Sequence, residues 1–232
     1  AEIYWGTRID DEILNRCPNL KWIHFGSVGG DKLSYKNLKQ KKILISNSPG
    51  INSESVFNLA IFFLIDTSKK ILNKKNIVNR PKYEKSFKDC KDLNNQKITV
   101  LGYGNIAKKL EKFYKLFGLD IKFFSIRNLE MKNLINKKKL MTSLKNYDTI
   151  VNLLKFNPNN QNFLNKDLFD KMKKDINLIL IGRLKTVHMK DLYNFLKKNK
   201  RATCYIDALP DKFNDIIFNK LRNFDNVFIT PH

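Results

Sequence analysis

The sequence predicts an α/β protein with open, mainly parallel sheets: a doubly wound parallel-sheet domain preceded by a smaller α/β domain. Three observations predict it. Short apolar runs alternate with helical patterns along the whole chain. One alternation, KITVLGYGNIAKKL at residues 97–110, runs from β-branched residues through a glycine turn into an amphipathic helical pattern. A polar, pattern-free stretch containing Pro81 separates two sets of alternations.

The first set begins with an apolar run at 3–5, a helical pattern at 11–16 and apolar runs at 21–25 and 43–46. The segment 53–70 is apolar nearly all round: Val56, Phe57, Leu59, Ala60, Ile61, Phe62, Phe63, Leu64 and Ile65. A helix of that composition has to be buried, between domains or between subunits. The second set has strand candidates at 98–101, 121–125, 149–153, 176–181, 203–206 and 227–229, with helical patterns at 106–117, 166–173 and 189–198. The expected division is therefore a first domain over 1–70, a linker over 71–95 and a second domain over 96–232.

Composition narrows the classes. An apolar fraction of 42%, with 17 Phe, suffices for a substantial core. No apolar run reaches the length that spans a bilayer, so no membrane segment is expected. Three widely spaced cysteines, Cys17, Cys90 and Cys204, suggest neither a disulfide framework nor a zinc site, and a reducing cytosol fits best. The net charge of +22 (44 basic minus 22 acidic) is scattered along the chain, which reads as a solvated Lys-rich surface rather than a nucleic-acid footprint. Its field attracts anionic cofactors and carboxylate substrates.

Within the glycine turn, Gly102-Tyr103-Gly104-Asn105-Ile106-Ala107 has the spacing of a dinucleotide-binding fingerprint in a strand–turn–helix context. Gly102 permits the tight turn, Gly104 lets the backbone approach a pyrophosphate, and Ala107 keeps helix and strand close. The helix N-terminus, from Asn105 and Ile106, offers free N–H groups to the phosphates. The second domain is thus expected to be Rossmann-type. An ordinary strand-to-helix turn is the competing reading, weakened because two of only nine glycines fall in register here. Where an NAD site places a carboxylate on the ribose, this chain has Ser125-Ile126-Arg127. A hydroxyl and a guanidinium can bind a 2′-phosphate, so NADP(H) is expected over NAD(H).

Taken together, these segments resemble the D-isomer-specific 2-hydroxyacid dehydrogenases over nearly the whole chain. LKWIHFGSVGGDKL (20–33) resembles the glycine loop of that family's substrate domain, which implies that Val28 and Gly29 offer backbone N–H groups to a substrate carboxylate. ISNSPGINSESVFNLA (45–60) resembles the turn into the long helix that the family buries in its dimer, implying a homodimer through the helix from Ser53. LILIGR (178–183) resembles the strand ending in the family's catalytic Arg, here Arg183, with Ile181 and Gly182 beside the cofactor. YIDALPDKF (205–213) resembles the block whose Asp, here Asp207, holds the nicotinamide carboxamide end. VFITPH (227–232) matches the last strand and catalytic His, here His232. The resemblance implies a flavodoxin-like substrate domain. Ser125 and Arg127 look like the glyoxylate/hydroxypyruvate reductase branch, so the expected reaction is reduction of a small 2-oxo acid to the D-2-hydroxy acid. His24 and His188 read as structural residues, and no metal site is expected.

Departures from the family pattern matter. Leu184 and Lys185 follow the Arg where Gly is usual, and Lys155 stands where Pro is usual. The acidic partner of the catalytic His falls on Lys212, with Asp211 one residue earlier as the candidate replacement. An ammonium beside the imidazole works against its protonated form, so impaired catalysis is expected unless Asp211 takes that place. The competing function is a family member that keeps the dinucleotide site and serves as a binding module. Without an initiator Met, the family's first strand and helix or a final returning helix, the chain is expected to be a fragment of a longer reading frame.

Overall fold

The computed structural model describes residues 1–6, 9–26, 38, 41–72, 91–125, 133–210 and 215–232. The chain separates into two compact units, Ala1–Ser55 and Val56–His232.

The first unit holds β1 (Ile3–Gly6), α1 (Asp11–Arg16), β2 (Trp22–Phe25) and β3 (Leu44–Asn47). The strands form a parallel sheet in the order β1-β2-β3. Asp10 starts α1 by accepting a hydrogen bond from the Ile13 N–H at 3.1 Å, and Asp11 and Glu12 place negative charge at the helix N-terminus. Ile9, Leu14, Leu20, Ile23, Phe25 and Leu38 form its core.

α2 (Ser53–Lys69) leads into the second unit, where it precedes an alternation of short strands rich in apolar residues. Its elements are β4 (Lys97–Leu101), α3 (Asn105–Phe117), β5 (Asp120–Phe124), β6 (Leu134–Ile135), α4 (Lys137–Ser143), β7 (Thr149–Asn152) and α5 (Lys166–Phe169), then β8 (Asn177–Leu180), α6 (Met189–Lys198), β9 (Thr203–Ile206), α7 (Ile216–Leu221) and β10 (Val227–Ile229). Seven parallel strands lie in the order β10-β9-β8-β7-β4-β5-β6.

Strand side chains alternate between two cores, as the pleat requires. Ile98, Val100, Val151, Ile179 and Tyr205 face Ala60, Phe63 and Leu64 of α2 and Ala107, Leu110 and Tyr114 of α3. On the other face, Leu101, Ile150, Leu178, Leu180 and Ile206 pack against Leu140, Leu168, Leu192, Leu196 and Leu221. Covered on both faces, the sheet is doubly wound, which is why its central strands read as continuous apolar runs.

The boundary between units falls at Ser55, ahead of the 71–95 stretch where composition suggests it. Packing supplies the reason: the apolar face of α2 belongs to the core of the second unit, and the buried Asp66 of α2 accepts a hydrogen bond from the Tyr205 hydroxyl at 2.7 Å. The helix is not buried all round, since Phe62 is 45% and Ile65 43% exposed. Three elements lie outside the sequence expectations. β6 has only two residues, paired with Phe123 and Phe124, too short for a periodic signal. α4 begins in the Lys137-Lys138-Lys139 cluster and is capped by Asn136, whose side chain accepts from the Lys139 N–H at 2.9 Å. α7 is capped by Asp215 through the Phe218 N–H at 2.9 Å. Among the described residues no helix is long and apolar enough to cross a membrane.

Candidate active site

The strand order reverses between β4 and β7, so the crevice beyond their carboxyl ends is the place where such a sheet receives a ligand. Gly102 leaves β4 with φ +101°, and a Cβ there would lie 3.0 Å from the Leu153 carbonyl oxygen. Its N–H donates to the Phe124 carbonyl at 2.8 Å, tying the turn to β5. Only glycine fits, for both reasons.

Gly104 is different. It caps α3, and a Cβ built on it meets nothing within 4 Å. The first intrahelical bond runs from the Lys108 N–H to the Gly104 carbonyl at 3.0 Å, so the N–H groups of Asn105, Ile106 and Ala107 have no carbonyl inside the helix. Open space above unpaired helix-terminal donors fits a pyrophosphate. Tyr103 turns its ring edge-on to Phe123, with centroids 5.3 Å apart, and its hydroxyl donates to the Glu111 carboxylate. Burial and that bond push the Tyr103 hydroxyl up to about 12. The Tyr103 bond holds Glu111 below its ordinary value despite burial, with help from Lys115 at 3.1 Å. Since the Tyr103 side chain is bonded to α3, only its main chain is left to face a dinucleotide. Ser125 follows β5 directly and is half-buried, while Arg127 lies outside the described residues.

A second cluster forms where β8, β9 and β10 end side by side. Beyond β8, Ile181 is buried and Gly182 passes so close to β7 that a Cβ would lie 2.8 Å from the Leu154 carbonyl oxygen. Arg183 follows, half-buried, with an extended backbone at φ −91°. Past β9, Asp207 is buried and its Oδ1 accepts from the Thr230 hydroxyl at 2.6 Å. After β10, His232 brings Nδ1 to 2.8 Å from the Asp207 main-chain oxygen. A carbonyl can only accept, so Nδ1 carries the proton in that bond and Nε2 is the nitrogen left to exchange one. Arg183, Asp207 and His232 therefore share one edge of one sheet.

The family model described as D-isomer specific 2-hydroxyacid dehydrogenase, NAD binding domain, matches residues 61–232. The chain belongs to this family. Among its 2-hydroxyacid dehydrogenase relatives, hydroxypyruvate reductase of Thermotoga maritima is 26% identical over 227 residues, covering 97% of this chain and 74% of the relative. D-3-phosphoglycerate dehydrogenase of Haemophilus influenzae is 25% identical over 230 residues, covering 97% of this chain and 56% of the relative. The chain thus spans little more than half the length of the latter. The crystal structure of D-lactate dehydrogenase from Aquifex aeolicus shares the fold, with a TM-score of 0.82 at 24% identity over 100% of this chain and 76% of that one.

Of the dehydrogenase residues expected from sequence, Gly102, Tyr103, Gly104, Asn105 and Ile106 lie at the switch point, and Ile181, Gly182, Arg183, Asp207 and His232 at the neighbouring strand ends. Val28, Gly29, Asp211 and Lys212, like Arg127, lie outside the described residues. His24 is half-buried between the Ser46 and Ser48 hydroxyls, at 2.9 and 3.0 Å, and His188 is the N-cap of α6. The Leu184 departure is accommodated by packing: its side chain is buried in the core under the sheet, and its backbone is not among the positive-φ residues that favour glycine. Sequence reasoning missed Asn152 and Thr186, two buried polar residues beneath the Arg183 loop. The single signal was an Asn closing a strand whose middle is apolar.

Proposed function

We propose that the protein containing this chain is an NADP(H)-preferring oxidoreductase that reduces a small 2-oxo acid of the glyoxylate or hydroxypyruvate type to the D-2-hydroxy acid. The observation that carries this reading is the convergence of Arg183, Asp207 and His232 on adjacent strand ends, beside a glycine turn shaped for a pyrophosphate.

When bound, a reduced nicotinamide dinucleotide supplies the hydride. Main-chain N–H groups of residues 103–106 would hold the pyrophosphate, and Ser125 with Arg127 the 2′-phosphate. Asp207, fixed by Thr230, accepts from the carboxamide, with Ile181 and Gly182 lining the same end. Arg183 would hold the substrate carboxylate in its planar fork and polarise the carbonyl. His232, steadied through Nδ1, gives the Nε2 proton to the oxygen of the carbonyl as hydride reaches its carbon. Arg183 and His232 together favour an enzyme over a binding module. The half-exposed Phe62 and Ile65 on α2 support a homodimer through that helix, and the sparse, scattered cysteines suit the cytosol.

The test is dinucleotide oxidation by the full-length protein against glyoxylate, hydroxypyruvate, pyruvate and larger 2-oxo acids. Turnover of a small 2-oxo acid with NADPH preferred is the expected result. Failure of every 2-oxo acid with both dinucleotides would overturn the reading.

A further inference from the structure

Arg183 sits on a loop whose direction is set by neighbours rather than by regular structure. Its main chain is held from several sides. The Gly182 N–H donates to the Asn152 carbonyl at 2.7 Å, the Arg183 N–H to the Leu154 carbonyl at 3.3 Å, and the Arg183 carbonyl accepts from the Thr186 N–H at 2.9 Å. Beneath these bonds runs a side-chain relay. The Asn152 amide donates to the Thr186 hydroxyl at 2.9 Å, and that hydroxyl donates to the Arg183 carbonyl at 2.7 Å. At its other end, Asn152 Oδ1 accepts from the Leu154 N–H at 3.1 Å. Asn152 is 1% and Thr186 0% exposed, so neither group has water as an alternative partner.

We infer that Asn152 and Thr186 are positioning residues for Arg183, aiming its guanidinium at the 2-oxo-acid carboxylate. The inference rests on the reading of Arg183 as the substrate-holding group. A long side chain magnifies any rotation at its Cα, and a misplacement of about 1 Å at a reacting centre can cost on the order of 100-fold in rate. No side chain can wedge between the β7 and β8 loops, because Gly182 lies against the Leu154 backbone. The polar relay adds a side-chain coupling to the main-chain bonds that join the two loops there. It also gives a direction to a loop that lacks the glycine usual after the Arg: Leu184 anchors it by burial, and the relay orients it.

Thr186→Val keeps the shape and removes the hydroxyl; Thr186→Ser keeps the hydroxyl. With the full-length protein and the dinucleotide it oxidises, three quantities separate the cases: the 2-oxo-acid KM and kcat, the dissociation constant of oxamate (a 2-oxo-acid mimic) from the dinucleotide complex, and that of the dinucleotide alone. The expected result for Thr186→Val is KM and oxamate Kd raised about tenfold, kcat lowered about tenfold and dinucleotide affinity within about twofold, with Thr186→Ser restoring all of them to within about threefold. Asn152→Ser, which can still accept from the Leu154 N–H but is too short to reach Thr186, is expected to repeat the pattern and replaces Thr186→Val if that variant does not fold. Unchanged KM and oxamate affinity, or loss of dinucleotide affinity in the same proportion, would overturn the inference. A wild-type protein that neither reduces a 2-oxo acid nor binds oxamate would instead overturn the functional reading and take the inference with it.

Discussion

The ring of His232 is anchored by the main chain of Asp207, with Nδ1 2.8 Å from the carbonyl oxygen. The anchor requires no carboxylate. It orients the imidazole and leaves Nε2 as the proton-exchanging atom.

His232→Ala is therefore expected to lower kcat for 2-oxo-acid reduction by roughly 100- to 10,000-fold, the span of a lost general acid, with dinucleotide affinity little changed. Asp211→Asn and Lys212→Glu, made separately, decide what the loop adds. A large rate gain with Lys212→Glu marks the ammonium as a handicap. Loss of activity with Asp211→Asn and no gain with Lys212→Glu assigns Asp211 as the acidic partner and overturns the expectation of impaired catalysis.

Cofactor choice is tested at Arg127. Removing one charge-assisted contact to a 2′-phosphate costs about 1.5–3 kcal/mol, so Arg127→Ala should weaken NADPH about ten- to a hundred-fold and leave NADH nearly unchanged. Titration of intrinsic fluorescence with each dinucleotide measures both. Equal losses would give Arg127 a structural role.

The glycines separate folding from binding. Alanine at Gly102 or Gly182 would press a Cβ against the backbone of residues 153–154, at 3.0 and 2.8 Å from the nearest carbonyl oxygens, and is expected to cost about 1–3 kcal/mol in urea unfolding. Alanine at Gly104 meets no neighbour. Its stability should change by less than about 1 kcal/mol while dinucleotide affinity falls about tenfold or more, because the methyl group occupies the space of the pyrophosphate. A stable Gly104→Ala protein with undiminished affinity would remove the pyrophosphate from this turn.

Asp148 is expected to contribute to the acid limb of stability. Burial pushes its carboxyl up, but the Lys173 ammonium at 2.6 Å, the Lys97 N–H at 2.8 Å and the Lys91 ammonium at 2.9 Å outweigh it, so the group is held below its ordinary value. A carboxyl depressed in the folded state stabilises above its unfolded pKa of about 4 and loses that contribution as pH falls through the lower, folded value. Asp148→Asn should cost about 1–2 kcal/mol at neutral pH and flatten the stability curve below about pH 4. A variant with the parent's acid limb would mean that other carboxylates dominate there.

Much of this molecule is a local matter. Every strand expected from apolar runs is present, and α1 and α6 have their expected limits, because the periods of strand and helix and the needs of a tight turn depend on residues within a few positions of one another. The strand, glycine turn and helix over residues 97–117 were legible for the same reason. β6 and α4 were not, one being too short to carry a period and the other hidden within a lysine cluster.

The amino-acid sequence by itself determined the alternation, the doubly wound class, the family and the candidate residues of the site. Tertiary structure alone decided their partners. Asp66 meets Tyr205 across 139 residues, which draws α2 into the core of the second unit. Asn152 finds Thr186 34 residues away and fixes the Arg183 loop. His232 is oriented by a carbonyl 25 residues back, a group that every residue carries. A main-chain acceptor leaves no mark in the sequence, and a buried pair far apart in the chain becomes a pair only when packing excludes water and brings the two together.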